Sequence, residues 1–561
     1  MDRRSFRTER GDTGSAVHLP SKPPAKPHPL SKGTIVMMSQ TVGGPYLPFL
    51  QRLRASLAKL TLAGLLATGA AAPTWADQPA PANEQVLRLV TANMPRSLDP
   101  INIDAQRIIN NGFAEPLVHQ SLDGARLIPA LARSWTLVEP TLWRIELQPN
   151  ARFWSGAAVD AEAVRAALER HQRANPRARA LLQGASFRAA GPTTLEIRTA
   201  APDPAFLFKT VTIGIHNAAA AEAMGDRFHR EADLTGYFRP TRFIPGELIV
   251  GEPFEGHWGP RPRLNRIEAR FVVDPQTRFL AMQAGEAEMD GNVQIEQRRA
   301  YLRLNRFNFP PVNSTTWNVW LNFRHPLLAD AGIREALSLG VNRDEIVGGV
   351  LRPIAVHATG HFPTGLPYAI ATRQFSDPAR ARQLLDELGW RPGPDGVRVR
   401  NGQRLEFHVL TYGWWHSAAV ALEAQWRRIG VGITLRVVEP TASNQIMLDG
   451  DFEIATYCSC GSATGDLHGQ LRAFYQTGVT QNWGRYSNPQ VDALIDNLQG
   501  EFDEARRFDL ARQIQTLVQR DHALIYVANS DLIGIAHAPR VRGADPDRPR
   551  DITPGMFIVA R

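Results

Sequence analysis

Residues 405–438 read LEFHVLTYGWWHSAAVALEAQWRRIGVGITLRVV, and this stretch decides the fold class. Leu405, Phe407 and Val409 alternate with other residues at the two-residue period of a strand. From Ala419 to Ile429 the period becomes helical, with Leu422 and Trp426 on the inward face, and Ile433 to Val438 returns to a strand. Two strands joined by one helix at this spacing make a βαβ unit, because parallel strands need a crossover longer than a hairpin turn. The late half of the chain is therefore predicted to hold a mixed or parallel sheet, and the fold class is α/β.

The same local grammar extends on both sides. Downstream, Asn488-Pro489 opens a helix carrying Val491, Leu494, Ile495 and Leu498, and Gly500 closes it. Upstream, Asp377-Pro378 opens one carrying Ala381, Leu384, Leu385 and Leu388, closed by Gly389. Both use a polar cap, proline at the first helical position and glycine just past the end. Leu142 to Leu147 alternates, placing Trp143, Ile145 and Leu147 on one strand face. Asp160 caps a following helix with Val159 and Val164 at the hydrophobic-staple positions. Asn342 is a second cap, with Glu345 completing a capping box and Val341 and Ile346 as the staple.

The chain has 561 residues, 43% of them apolar, with 2 Cys and a formal net charge of +8. That composition excludes disordered, collagenous and disulfide-stapled classes, and the length corresponds to about three domains. The charge is local. Residues 1–76 hold 10 basic and 3 acidic side chains, leaving 53 basic against 52 acidic beyond them. A near-neutral body is no phosphate-tracking surface, so no nucleic acid partner is expected. Residues 1–76 read as an N-terminal extension plus signal peptide. Arg52, Arg54 and Lys59 precede the uncharged apolar run Leu60 to Ala72, and Thr74-Trp75-Ala76 offers a cleavage site. Thirteen apolar residues are too few to span a bilayer. No Cys near Ala76 offers a lipid anchor, so the expected location is the periplasm, as a free protein and not a lipoprotein.

Several motifs in order carry a resemblance. Ser97-Leu98-Asp99-Pro100, Glu115-Pro116-Leu117-Val118 and Ile128 to Trp135 come first. Gly285-Glu286-Ala287-Glu288-Met289-Asp290, Leu321-Asn322-Phe323, Ile333 to Leu337 and Tyr486-Ser487-Asn488-Pro489 follow. In this order they resemble solute-binding protein family 5, the dipeptide, oligopeptide and nickel-binding proteins of ABC importers, over roughly residues 84–560. The resemblance implies a two-lobed periplasmic binding protein of type II (cluster C) with an extra inserted subdomain. Lobe I would comprise 84–118, 236–321 and 527–561, the inserted subdomain 119–235, and lobe II 322–526, with crossings near Asn322 and Tyr526. It further implies capture of a peptide-like or carboxylated small solute by hinge closure, and delivery to a permease and ATPase complex by a monomer. A nickel or metallophore chelate is the alternative cargo. No cofactor is required, although a metal can travel with the ligand.

By motif order, Tyr457 to Leu471 corresponds to the family's cleft loop. Cys460 occupies a Trp position, Ala463 falls where peptide binders place the aspartate that pairs with the α-ammonium, and Asp466 matches a second acidic position. Tyr412, Trp414, Trp415 and His416 crowd a strand-to-helix turn of the kind that lines α/β clefts. Trp483 and Arg485 form a similar turn, the guanidinium being suited to a carboxylate. Arg170 lies near a chelator-facing arginine of the nickel-binding relatives. Cys458 and Cys460, two apart on a strand, point the same way. With His468 they are a candidate soft-metal set; a disulfide and a plain pocket wall are the other two readings. An enzyme is not expected. The chain shows no HExxH, no GxSxG elbow, no SxxK-SDN pair and no CxxC, and residues 1–76 are too short and proline-rich for a DNA-binding winged helix.

Overall fold

The computed structural model describes residues 78–102, 105–310, 315–460, 464–530 and 534–560, with the side chains of 295, 296, 414, 440, 441 and 460 set aside. The chain divides into Met1–Pro73 and Thr74–Arg561. Every described residue belongs to the second unit, so the signal-peptide reading of 1–76 lies outside them.

Two six-stranded sheets organise this unit. The chain first lays down β1 (Val86–Thr91), β2 (Phe238–Ile244), β3 (Leu248–Pro253), β4 (Arg266–Phe271) and β5 (Met289–Val293). It then crosses to form β6 (Thr315–Leu321), β7 (Ala355–His357), β8 (Glu406–Thr411), β9 (Gly432–Val437), β10 (Ile454–Cys460) and β11 (Leu524–Ser530). Finally it returns with β12 (Gly534–His537), which pairs with β5 at the edge of the first sheet. β1 runs parallel to both β4 and β5, and β8 runs parallel to both β9 and β10. The βαβ unit read from 405–438 is thus present as β8, helix His416–Arg428 and β9. The helix begins three residues earlier than the apolar period announced, and Leu422 and Trp426 are buried as expected.

Caps set the helix boundaries where the sequence placed them. The side chains of Asp160, Asp377 and Asn488 accept hydrogen bonds from the backbone N–H of Ala163, Arg380 and Gln490. Asn342 accepts from Glu345 N–H, but the capping box is not completed. The Glu345 carboxylate turns instead to Gln425 and Arg428 on a packed helix, because a tertiary partner outbids a local one.

The strands also move both crossings. β6 is buried along its whole length and pairs on one side with β10 and on the other with β11. A strand buried on both faces belongs in the middle of a sheet, so residues 315–321 and 527–530 are part of the second sheet, not of lobe I as bounded above. The first crossing falls between Asn308, which bridges His537, and Thr315; the second falls between Ser530 and Gly534. Trp317, Val319 and Leu321 enter one apolar cluster of the second sheet, and Trp320 enters the cluster on its other face. The first sheet has its own core around Leu87, Leu89, Ile267 and Met289. Within 119–235, a four-stranded antiparallel sheet packs Ile145, Leu147 and Ile197 on helix Ala161–Ala174.

Candidate functional site

Ligand clefts in α/β proteins form beyond the carboxyl ends of parallel strands, where neighbouring connections diverge and leave backbone groups facing open space. Here the carboxyl ends of β1 and β5 lie beside Gly534, which faces Val293 where the chain re-enters the first sheet. In the second sheet the carboxyl ends of β8, β9 and β10 lie on the same edge as Thr315, which faces both Cys460 and Ser530. Both sheets therefore present their strand ends at the two crossings.

On the first sheet's side this edge carries a cavity of about 220 Å³ lined by Thr91, Asn93, Arg107, Asn111, Asn292 and Arg550, among others. A second cavity of about 220 Å³ adjoins it, sharing Asn110 and Arg550, and is lined also by His119, Ser121, Arg548 and Asp551. Guanidinium groups set among amides suit carboxylates, which accept paired, charge-assisted hydrogen bonds. Near the second sheet's strand ends three rings pack on one another, with Tyr412 and Trp483 buried in its apolar clusters. Tyr412, at the end of β8, lies 5.5 Å centroid to centroid from Tyr457 on β10, which lies 4.8 Å from Trp483. Trp415 turns inward instead, its ring 4.0 Å from that of Trp317, while His416 is exposed at the start of its helix. The side chain of Trp414 lies outside the described residues.

The profile of the bacterial extracellular solute-binding proteins, family 5 (middle), matches residues 126–482. The chain belongs to that family. It is 25% identical over 507 residues to the glutathione-binding protein GsiB of Pectobacterium atrosepticum, covering 86% of this chain and 95% of that protein. It is 26% identical over 497 residues to the nickel-binding periplasmic protein of Escherichia coli, covering 80% of this chain and 92% of that one. In fold it is similar to NikA from Brucella suis in complex with Fe(III)-EDTA, with a TM-score of 0.73 at 22% identity over 84% of this chain and 99% of the other. The unliganded open form of MppA superposes with a TM-score of 0.72 at 20% identity, over 86% and 99%. The two-lobed type II periplasmic-binding-protein fold follows, and the members of family 5 are binding proteins.

For a family 5 protein, several residues singled out in the sequence are occupied elsewhere. Arg170 donates from both terminal nitrogens to Asp99, at 2.8 and 2.7 Å, and one of them also meets His216 at 3.0 Å. Burial works against charge on Asp99, 1% exposed, yet the Arg170 hydrogen bonds and charge outweigh it and hold that carboxyl below its usual range. The guanidinium thus ties helix Ala161–Ala174 to the Ser97–Pro100 turn rather than facing a chelator. Arg485 donates to the carbonyl of Leu448 at 2.8 Å, which engages one of its terminal nitrogens at the end of helix Pro440–Asp449. Cys458 is disulfide-bonded, and a sulfur held that way is not the thiolate a metal would require. The side chain of Cys460 lies outside the described residues, as does Ala463. Among the described residues no group of three His, Cys, Asp or Glu side chains is arranged to hold a metal ion, and His468 has no such companions.

Asp466 has moved furthest from its expected role. It caps helix Leu467–Tyr475 by accepting from Gly469 N–H at 2.9 Å. Burial raises its pKa, and the charge of Lys209 opposes that rise. Lys209 belongs to the inserted subdomain, where it pairs with Asp203 at 2.6 Å. Beside it the Phe208 ring covers Gly465 so closely that a Cβ there would sit 2.2 Å from the ring. The Tyr368 hydroxyl adds a hydrogen bond to the carbonyl of Asp123 at 2.9 Å. These contacts join the inserted subdomain to the second lobe. The same burial, with Lys209 adding to it, pushes His468 down to about 4, so its imidazole is neutral at physiological pH.

Sequence reasoning passed over Asn93, Arg107 and Asn292, and named Tyr457 only as the start of the cleft loop. The rule that clefts open at strand ends could have found Asn93 and Asn292, which lie at or just beyond the ends of β1 and β5. No local signal marks Arg550.

Proposed function

We propose that this chain is the extracytoplasmic substrate-binding component of an ABC importer, capturing a peptide-like or carboxylated small solute between its lobes. The observation that carries this is the pairing of the Arg107 and Arg550 cavity with the two chain crossings at one edge of both sheets. A solute held there touches both lobes only when they close, so it shifts the population towards the closed form in proportion to its differential affinity. The permease and its ATPase then read the closed shape. The glutathione-binding relative supports a carboxylated, peptide-like cargo, and the nickel-binding relative supports a metal-bearing one. A metal chelate or opine-type metallophore is the second reading, favoured by the same two guanidinium groups, which grip a chelator's carboxylates. In the chelate reading metal travels with the ligand, and in neither reading is it a resident cofactor. Export through the signal peptide ending at Ala76, a periplasmic location without a lipid anchor, and a monomeric state complete the proposal.

The test is to express the full chain in a Gram-negative host, recover it from the periplasm without denaturant, and compare native with denatured mass. A copurified mass carrying a nickel, copper or zinc isotope pattern favours the chelate, and masses differing by amino-acid residues favour a peptide. Retention in the cytoplasm, or no binding of glutathione, tripeptides or Ni(L-His)2 with no compaction in small-angle scattering, overturns the reading. Arg107→Ala, Trp414→Ala and Asp466→Ala are each expected to weaken binding at least tenfold, about 1.4 kcal/mol. Asp466 acts through the contact between subdomain and second lobe, so its variant should also lower the closed fraction seen by scattering. Unchanged affinity in all three removes this placement of the cleft.

A further inference from the structure

We propose that a cavity between the first lobe and the inserted subdomain, behind helix Ala105–Asn110, is a separate binding site for a small aliphatic monocarboxylate, its tail among apolar walls and its head at Arg177. The site goes beyond the cleft and does not depend on that reading. Its volume is about 330 Å³. At about 30 Å³ for each water-sized group, that is room for roughly ten non-hydrogen atoms. One unbranched chain ending in a carboxylate fits, and a two-chain lipid does not.

The helix Ala105–Asn110 is the partition. Ala105 lines this cavity and Arg107 lines the cleft, and two residues of α-helix separate them by about 200° around its axis. Gln106, between the two, borders both this cavity and the one lined by His119, and its amide is held by Asn110 at 2.6 Å. The walls are mainly apolar. Ala105, Ala178 and Ile213 are buried, and Ile101 and Leu181 are half-buried, so a hydrocarbon tail gains by removing that surface from water.

The polar groups sort by wall. On the first lobe, Asn102 spends its amide nitrogen on Ser97 Oγ at 3.1 Å and the Asp99 carbonyl at 3.2 Å, as Gln106 spends its own on Asn110. The unspent donors come from the subdomain. The Asn175 side-chain oxygen accepts from the backbone N–H of Arg177 and Ala178, at 3.0 and 3.1 Å, and its nitrogen has no partner among the described residues. The Arg177 guanidinium likewise has none, although both neighbouring arginines are engaged. Arg173 meets Glu222 at 3.7 Å, and Arg179 donates to the carbonyls of Gln172 and Arg173. No carboxylate stands among the described walls to oppose an anion. One guanidinium with one amide beside it is a donor set for a single carboxylate, and an apolar cavity with few polar groups orients a ligand that has one polar end.

The experiment titrates the periplasmically purified, dialysed full chain with octanoate, octylammonium, octanol and acetate, read by calorimetry at neutral pH. Octanoate should bind one to one. It should bind at least tenfold tighter than octylammonium, whose charge is of the wrong sign, and than acetate, which has no tail to bury. Arg177→Gln should lower octanoate to the affinity of octanol while keeping the wild-type circular dichroism spectrum and the wild-type affinity for glutathione. Saturating glutathione should leave octanoate bound. No octanoate binding, equal binding of octanoate and octylammonium, an unchanged octanoate affinity in Arg177→Gln, or displacement of octanoate by glutathione overturns the site. If glutathione itself does not bind, the cleft reading suffers, and the Arg177→Gln comparison still decides this one.

Discussion

Asp290→Ala is expected to destabilise the first lobe by about 3–5 kcal/mol, the cost of breaking a buried ion pair from one side. Asp290 and Arg278 are 1% and 0% exposed and meet at 3.1 Å. The aspartate also accepts from the Tyr301 hydroxyl at 2.9 Å and from Asn292 N–H at 2.9 Å. Arg278 spends its other donors on the carbonyls of Val272 and Val273, both at 2.8 Å, and of Asn292 at 2.6 Å. This network fastens the segment after β4 to β5. Burial alone raises the Asp290 acid, and the Arg278 charge pulls against it. Removing the carboxylate leaves a guanidinium in the core with no counter-charge and a phenol with no acceptor. A urea melt followed by fluorescence should show the loss. Arg278→Met combined with Asp290→Leu should recover part of it, because the uncompensated charge is then gone. A loss under about 1 kcal/mol in Asp290→Ala would show that water reaches the site. The consequence reaches the cleft, since Met289, Gly291 and Asn292 on the same strand line the cavity that holds Arg107.

Trp415→Ala is expected to cost about 3–5 kcal/mol in the second lobe, as large-to-small changes at fully buried aromatic positions do. Its side chain is 1% exposed and meets Trp317 edge to face. Trp317 is on β6, the strand paired with both β10 and β11, so the cavity would open against the middle of the sheet. The neighbouring Trp414→Ala provides the contrast, with binding weakened and the unfolding free energy expected within about 0.5 kcal/mol of wild type. Thermal or urea unfolding of the two variants in parallel decides the matter. Equal destabilisation of both would mean that the turn packs as a unit and that its rings are not divided between core and ligand.

How much of the site could be read beforehand varied by residue, for physical reasons. Asp160, Asp377 and Asn488 were legible as caps because a cap bonds to backbone two or three residues away. Tyr412 was legible as the residue after a strand, but not that its ring is buried beside Tyr457. Arg170 misled because its partner, Asp99, lies 71 positions earlier in the chain, and an arginine in sequence looks the same whether it is spent on a buried aspartate or held out for a ligand. Asp466 was found in the loop expected, but Lys209, the charge opposite it, comes from a subdomain inserted some 250 positions upstream.

By itself the sequence determined the α/β class, the helix boundaries, the ordered motifs that mark family 5 and the near-neutral body. The class, the helix caps and the charge rest on periodicity, local hydrogen bonds and composition, which act over a few residues or none, and the motifs are legible through their resemblance to the family. Only the tertiary structure decided that Thr315–Leu321 is an interior strand of the second sheet, and that Arg107 and Arg550 line one cavity. Only it turned Arg170 and Arg485 into structural ties. Those outcomes depend on which distant groups are brought together, and burial then makes each charge find a partner from whatever the fold has placed beside it.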